Sequence, residues 1–103
     1  MSNKKEMRRK FRDSVFSRDK NVCRVCDTVT TLDAHHITDR HKMPNGGYIL
    51  ENGISLCSYC HEKAEEFHKT GTTINGFGPD DLYKLIESSY ELAYKNASKE
   101  GKP

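Results

Sequence analysis

The stretch that decides the fold runs from Cys23-Arg24-Val25-Cys26 through Ala34-His35-His36-Ile37 to Asn52-Gly53-Ile54-Ser55-Leu56-Cys57-Ser58-Tyr59-Cys60-His61. Two C-x-x-C pairs enclose a double histidine, with an asparagine and a further histidine close to the second pair. The C-x-x-C spacing lets two thiolates wrap one tetrahedral ion, so each pair reads as half of a four-cysteine zinc site. Between Cys26 and Cys57 lie 30 residues, more than the roughly 15–20 of a simple zinc ribbon. The enclosed segment must therefore hold structure of its own.

Composition agrees with a metal-stapled domain. A chain of 103 residues has room for one domain, 1–103, and buries only a small core. Apolar residues make up 34% against 31% charged, and there is no Trp, so apolar burial alone is a weak source of stability. The first residues, Met1-Ser2-Asn3-Lys4-Lys5, lead straight into charge without the apolar stretch of a secretion signal. The expected compartment is therefore reducing and cytoplasmic, where paired C-x-x-C motifs bind metal rather than form disulfides. No segment approaches the roughly 20 apolar residues of a membrane span. Neither pair sits in the βαβ context of a redox dithiol.

Around this centre the pattern predicts helices at both ends. Met7, Phe11 and Val15 fall at i, i+4 and i+8 of a basic helix over about 5–18, with Asn3 and Glu6 as caps. Val29–Ile37 reads as a strand whose alternation sends His35 and His36 to opposite faces. Thr38–Tyr48 is a loop closing on the turn Pro44-Asn45-Gly46-Gly47. Ile49–Leu56 then supplies the returning strand. From Ser58 to Lys69 a helix places Cys60, Ala64 and Phe67 on one stripe and His61, Glu65 and His68 on its neighbour. A single C-terminal helix over about 79–96 would cover the core with Leu82, Leu85, Ile86, Tyr90 and Ala93, ahead of a frayed tail from Asn96 to Pro103. His41 fits no ligand spacing and reads as exposed.

The combination His35-His36-Ile37, Asn52, and His61 directly after a C-x-x-C resembles the HNH endonucleases, in the branch whose paired C-x-x-C motifs bind structural zinc around a ββα-metal fold. The resemblance implies an α+β protein with its core over about 23–70. It also implies that Cys23, Cys26, Cys57 and Cys60 hold zinc, that His35 and His61 ligate a catalytic metal, and that His36 is the general base. Asn52 would brace the loop that orients the base or approach the metal. The family often has a histidine four residues after His61; here Glu65 stands at that position and His68 follows one turn later, so either is a candidate third ligand. Mixed imidazole and carboxylate donors would accept Mg²⁺, Mn²⁺ or another divalent transition metal.

The expected activity is metal-dependent hydrolysis of phosphodiesters in double-stranded DNA, in a bacterial cell or a phage-infected host, with a dimer or a protein partner as a further expectation. Residues 1–42 carry 11 Lys+Arg against 6 Asp+Glu, whereas residues 43–103 carry 6 against 9. The N-terminal part is thus the polyanion face, with Arg40 and Lys42 as further backbone contacts. The rival reading is a non-catalytic zinc-stabilised module that binds nucleic acid or protein. It accounts for the cysteines and the basic helix but gives no role to His36 and Asn52.

Overall fold

The computed structural model describes residues 4–99. Two strands, β1 (Leu32–His36) and β2 (Gly53–Cys57), pair antiparallel with His35 opposite Ile54 and His36 opposite Gly53. Helix α1 (Lys4–Arg18) packs on one face of this pair and α2 (Ser58–Thr70) on the other. Helices α3 (Pro79–Leu85) and α4 (Tyr90–Lys99) close the core, in which Leu82, Tyr83, Ala93 and Ala97 join Ile37, Met43, Ile54 and Leu56. This is the α+β arrangement with a ββα core between flanking helices that the sequence predicted.

On the α1 face of the sheet small residues meet the helix, with Ala34 opposite Ser55 and Gly53 opposite His36. That lets the buried Phe11 and Val15 of α1 approach the backbone closely. A Cβ on Gly53 would lie 2.5 Å from Val15 Cγ2 and 2.7 Å from the Phe11 ring, so any side chain there would push the helix off. The Ser55 hydroxyl donates to the Val15 carbonyl at 3.4 Å on the same face.

Several predicted boundaries change. The first strand begins at Leu32, because Val29 is exposed and lies outside the pairing. The second begins at Gly53, because Leu50–Asn52 makes a 3₁₀ turn. The single C-terminal helix is in fact two. Glu87 takes a left-handed φ of 56°, and the Ser88 N–H bonds back to the Tyr83 carbonyl, which ends α3. The Ser89 hydroxyl then accepts from the Leu92 N–H and starts α4. Tyr83 is buried, whereas Leu85 and Tyr90, expected to cover the core, are exposed. Helix α4 runs to Lys99, so residues 96–99 are helical rather than frayed. The cap at Asn3 and residues 100–103 of the predicted tail lie outside the described residues.

At the junction of α1, the first C-x-x-C and β2 sits the buried carboxylate of Asp19. It accepts from Arg18 Nε and Arg24 Nη1, both at 2.7 Å, and from the Ser55 N–H at 2.9 Å. Arg18 also donates to the Leu50 and Gly53 carbonyls, and Arg24 to that of Leu85. One carboxylate thus connects α1, the first cysteine pair, β2 and the end of α3. Burial alone would raise its pKa, but the two guanidiniums and the Ser55 N–H outweigh it and hold Asp19 below its usual 3.8.

Asp19→Asn leaves two arginines around a neutral group. It should cost about 2–3 kcal/mol in denaturant unfolding, less than the ~3–5 for a fully buried pair because both guanidiniums retain some contact with water. Because the folded-state pKa is depressed, this contribution is fully present above pH 3.8 and is lost as pH falls through the folded value. The stability gap between wild type and variant should close over that acid range.

Candidate active site and metal centres

The four cysteines are free thiols, and their sulfurs all lie within 4.8 Å of one another. Cys26 Sγ and Cys57 Sγ are 3.7 Å apart, close to the ~3.8 Å edge of a tetrahedron built on Zn–S bonds of about 2.3 Å. Burial would raise the Cys23 thiol, but backbone N–H groups of Cys26, Cys57 and Val25 outweigh it and lower it to about 7. Cys23 thus favours the thiolate, which is the ligating form. The thiols are positioned as a zinc site that ties the segment before β1 to the β2–α2 junction.

The histidines meet in a second place. A cavity of about 570 Å³ opens at the end of β1 and is lined by His35, His36, His61, Glu65 and His68, with Arg8, Arg12 and Arg40 among its other walls. His35 is buried and faces α2, with Nδ1 3.1 Å from Glu65 Oε2. That approach lacks hydrogen-bond geometry, so both ring nitrogens of His35 are buried without a hydrogen-bond partner. Burial lowers the His35 pKa, and Glu65, beside it, is lowered to about 2 chiefly by His35. His35, Glu65 and His68 bring one donor atom each within 4.8 Å of the others.

His61 joins this group through Glu65, with Nε2 3.5 Å from Glu65 Oε2. Its Nδ1 is 3.0 Å from Asp33 Oδ2. A carboxylate only accepts, so Nδ1 is the donor in this contact. The same logic applies to His68, whose Nε2 lies 3.0 Å from the His36 carbonyl and donates to it. Both rings carry the outer-shell partner, carboxylate or carbonyl, that metal-binding histidines commonly have. Neither Asp33 nor the His68 bond was legible as a motif, although Asp33 shares the His35 face by strand alternation.

His36 points to the α1 side. Its ring stacks on Phe11 at 4.4 Å between centroids and meets Tyr48 edge-on at 4.8 Å. Burial, reinforced by the charges of His35 and Arg40, lowers its pKa to about 4, so the ring is neutral at physiological pH. His41 is exposed, as its spacing predicted.

Asn52 does not line the cavity. Fully buried, it accepts from the Thr38 N–H at 2.9 Å and the Tyr83 hydroxyl at 2.8 Å, and donates to the Thr38 and Gly47 carbonyls. Of the two positions open to it, this geometry is bracing of the loop after His36. Thr38 Oγ1 completes the network by donating to Tyr83 at 2.6 Å. Tyr83 was missed in the sequence because nothing in a tyrosine on a short helix marks a distant partner.

The fold and the thiol site together define a small α+β protein with a ββα-metal core. Within it, residues 23–67 match the model of the family described as HNH endonuclease. No curated protein and no solved structure matches the chain. Among the described residues, no helix is long and apolar enough to cross a membrane.

Cys60→Ser should lower the zinc content of the purified protein well below one ion per chain and reduce its thermal midpoint. A variant that keeps one zinc per chain and the wild-type midpoint would contradict the thiol site. Tyr83→Phe should destabilise by about 1–3 kcal/mol, since Asn52 Oδ1 and the Thr38 hydroxyl lose a buried partner. Urea unfolding of the variant measures this.

Proposed function

We propose that this protein is a metal-dependent endonuclease that hydrolyses phosphodiester bonds in double-stranded DNA. The observation that carries the reading is the pair of buried nitrogens on His35, which make no hydrogen bond although Glu65 Oε2 stands 3.1 Å from Nδ1. They face Glu65 and His68, one residue away from a second histidine lining the same cavity. A buried polar atom without a partner is costly unless a ligand satisfies it.

His35, Glu65 and His68, with His61 turned toward Glu65, would hold a divalent cation such as Mg²⁺ or Mn²⁺. When bound, that cation would stabilise charge on the phosphate and on the leaving oxygen. His36, neutral and held between Phe11 and Tyr48, takes a proton from the attacking water as general base. Asn52 and Tyr83 act through the loop, fixing the backbone that follows the base. Arg8, Arg12 and Arg40 on the cavity wall neutralise the DNA backbone.

Plasmid nicking by zinc-loaded protein, with Mg²⁺, Mn²⁺ or Ni²⁺ added in turn, tests the proposal against His36→Ala. Wild type should cut only with added metal, and the variant should lose about 10²–10⁴ of the rate while remaining folded. Equal cutting by the variant would remove His36 as base. An intact plasmid under every metal would favour the non-catalytic binding module.

A further inference from the structure

Tyr48 stands between two cavities. On one side is the histidine cavity; on the other is a groove of about 320 Å³ lined by Lys4, Arg8, Arg40, His41 and Tyr48 itself. Arg8, Arg40, His41 and Tyr48 border both. No acidic side chain is among the described residues lining the groove, whereas Asp33, Asp39 and Glu65 line the histidine cavity. We propose that this groove is a second phosphate subsite, which takes the DNA phosphate next to the one being cleaved. This rests on the DNA-cleaving reading and adds to it the path of the strand across Tyr48.

Three features build the subsite. The first is a fixed wall. The Tyr48 ring packs edge-on against Phe11 and His36, with centroids at 5.7 and 4.8 Å, and lies over the turn at Gly46. A Cβ on Gly46 would come within 2.6 Å of the ring, and the φ of +80° there also favours glycine. The second is the placing of two guanidiniums. Arg40 Nη1 donates to the Tyr48 hydroxyl at 3.4 Å, and Arg8 lines the same groove beside it. Burial would raise the phenol, but Arg40 and Arg8 together lower it below its ordinary value. A phosphate oxygen is a stronger acceptor for the same two donors.

The third is the division of charge along α1. Arg9 is held by Glu6 and by Asp13, so its charge is matched within the helix. Lys4 and Arg8, one helical turn apart, line the groove instead. Adjacent arginines of one helix therefore have different functions, which gives a matched control.

The test is equilibrium binding of a short DNA duplex by zinc-loaded protein with no other divalent cation, followed by anisotropy across a salt series. Arg8→Ala and Arg40→Ala should each flatten the dependence of log affinity on log salt, and together lower the slope by about one, the value for one phosphate contact. Tyr48→Phe should weaken binding, and Arg9→Ala should leave the slope unchanged. Zinc content and circular dichroism verify that each variant is folded. A slope that falls as much for Arg9→Ala as for Arg8→Ala, or that stays at the wild-type value in the double variant, overturns the subsite. If metal-dependent, His36-dependent nicking persists in that case, the subsite alone has failed and the nuclease reading stands.

Discussion

Adjacent residues on a β-strand point to opposite faces, and this constraint organises the molecule around His35 and His36. Two neighbouring imidazoles can line one cavity only where the strand ends and the cavity wraps around it. The structure meets this by ending β1 at His36 and covering each face with a different helix. On the α2 face, His35 lies against a carboxylate and two imidazoles. On the α1 face, His36 lies against Phe11 and Tyr48. Gly53 reflects the same geometry, because the residue opposite His36 must be small if Phe11 is to reach the histidine ring. His68 links the two faces by spanning from its stack on His35 to the His36 carbonyl.

A two-stranded sheet is marginal by itself, and the loop between its strands is long. Its ends are gathered by the four thiols on one side and by Asn52 on the other. The second closure draws on residues beyond the matched HNH segment, since Tyr83 on α3 donates to Asn52 and Arg24 reaches the Leu85 carbonyl. Asn45 also donates to the Ala97 carbonyl of α4. The C-terminal helices therefore brace the loop after His36 as well as filling the core.

The features legible in the sequence are those set by fixed periods: both thiol pairs, the opposed histidines, the α2 stripe of His61, Glu65 and His68, and the apolar stripe of α1. Contacts that depend on the approach of segments distant in the chain were not legible. Asp33 meets His61 across 28 positions, and Tyr83 meets Asn52 across 31. The break between α3 and α4 was missed for a different reason. Apolar periodicity carries through Glu87-Ser88-Ser89, and the serines decide the outcome only through local bonds, Ser88 to the Tyr83 and Glu51 carbonyls and Ser89 to the Leu92 N–H.

Charge shows the same limit more sharply. By net charge the N-terminal helix is basic, yet Arg9 is paired within it with Glu6 and Asp13 while Arg8 lines both cavities. The histidine cavity carries the side chains of Glu65 and Asp33 at its α2 side and arginines at its α1 side. A phosphodiester drawn in by the arginines would meet carboxylates on the far wall, and at close range that repulsion would oppose its seating. Under the proposed reading, a cation held by His35, Glu65 and His68 reverses the sign of that wall. The same carboxylate that repels the substrate would then be the group that anchors the charge attracting it. Metal binding and DNA binding would in that way be coupled through Glu65, a residue that helical periodicity alone left as either a ligand or a surface charge.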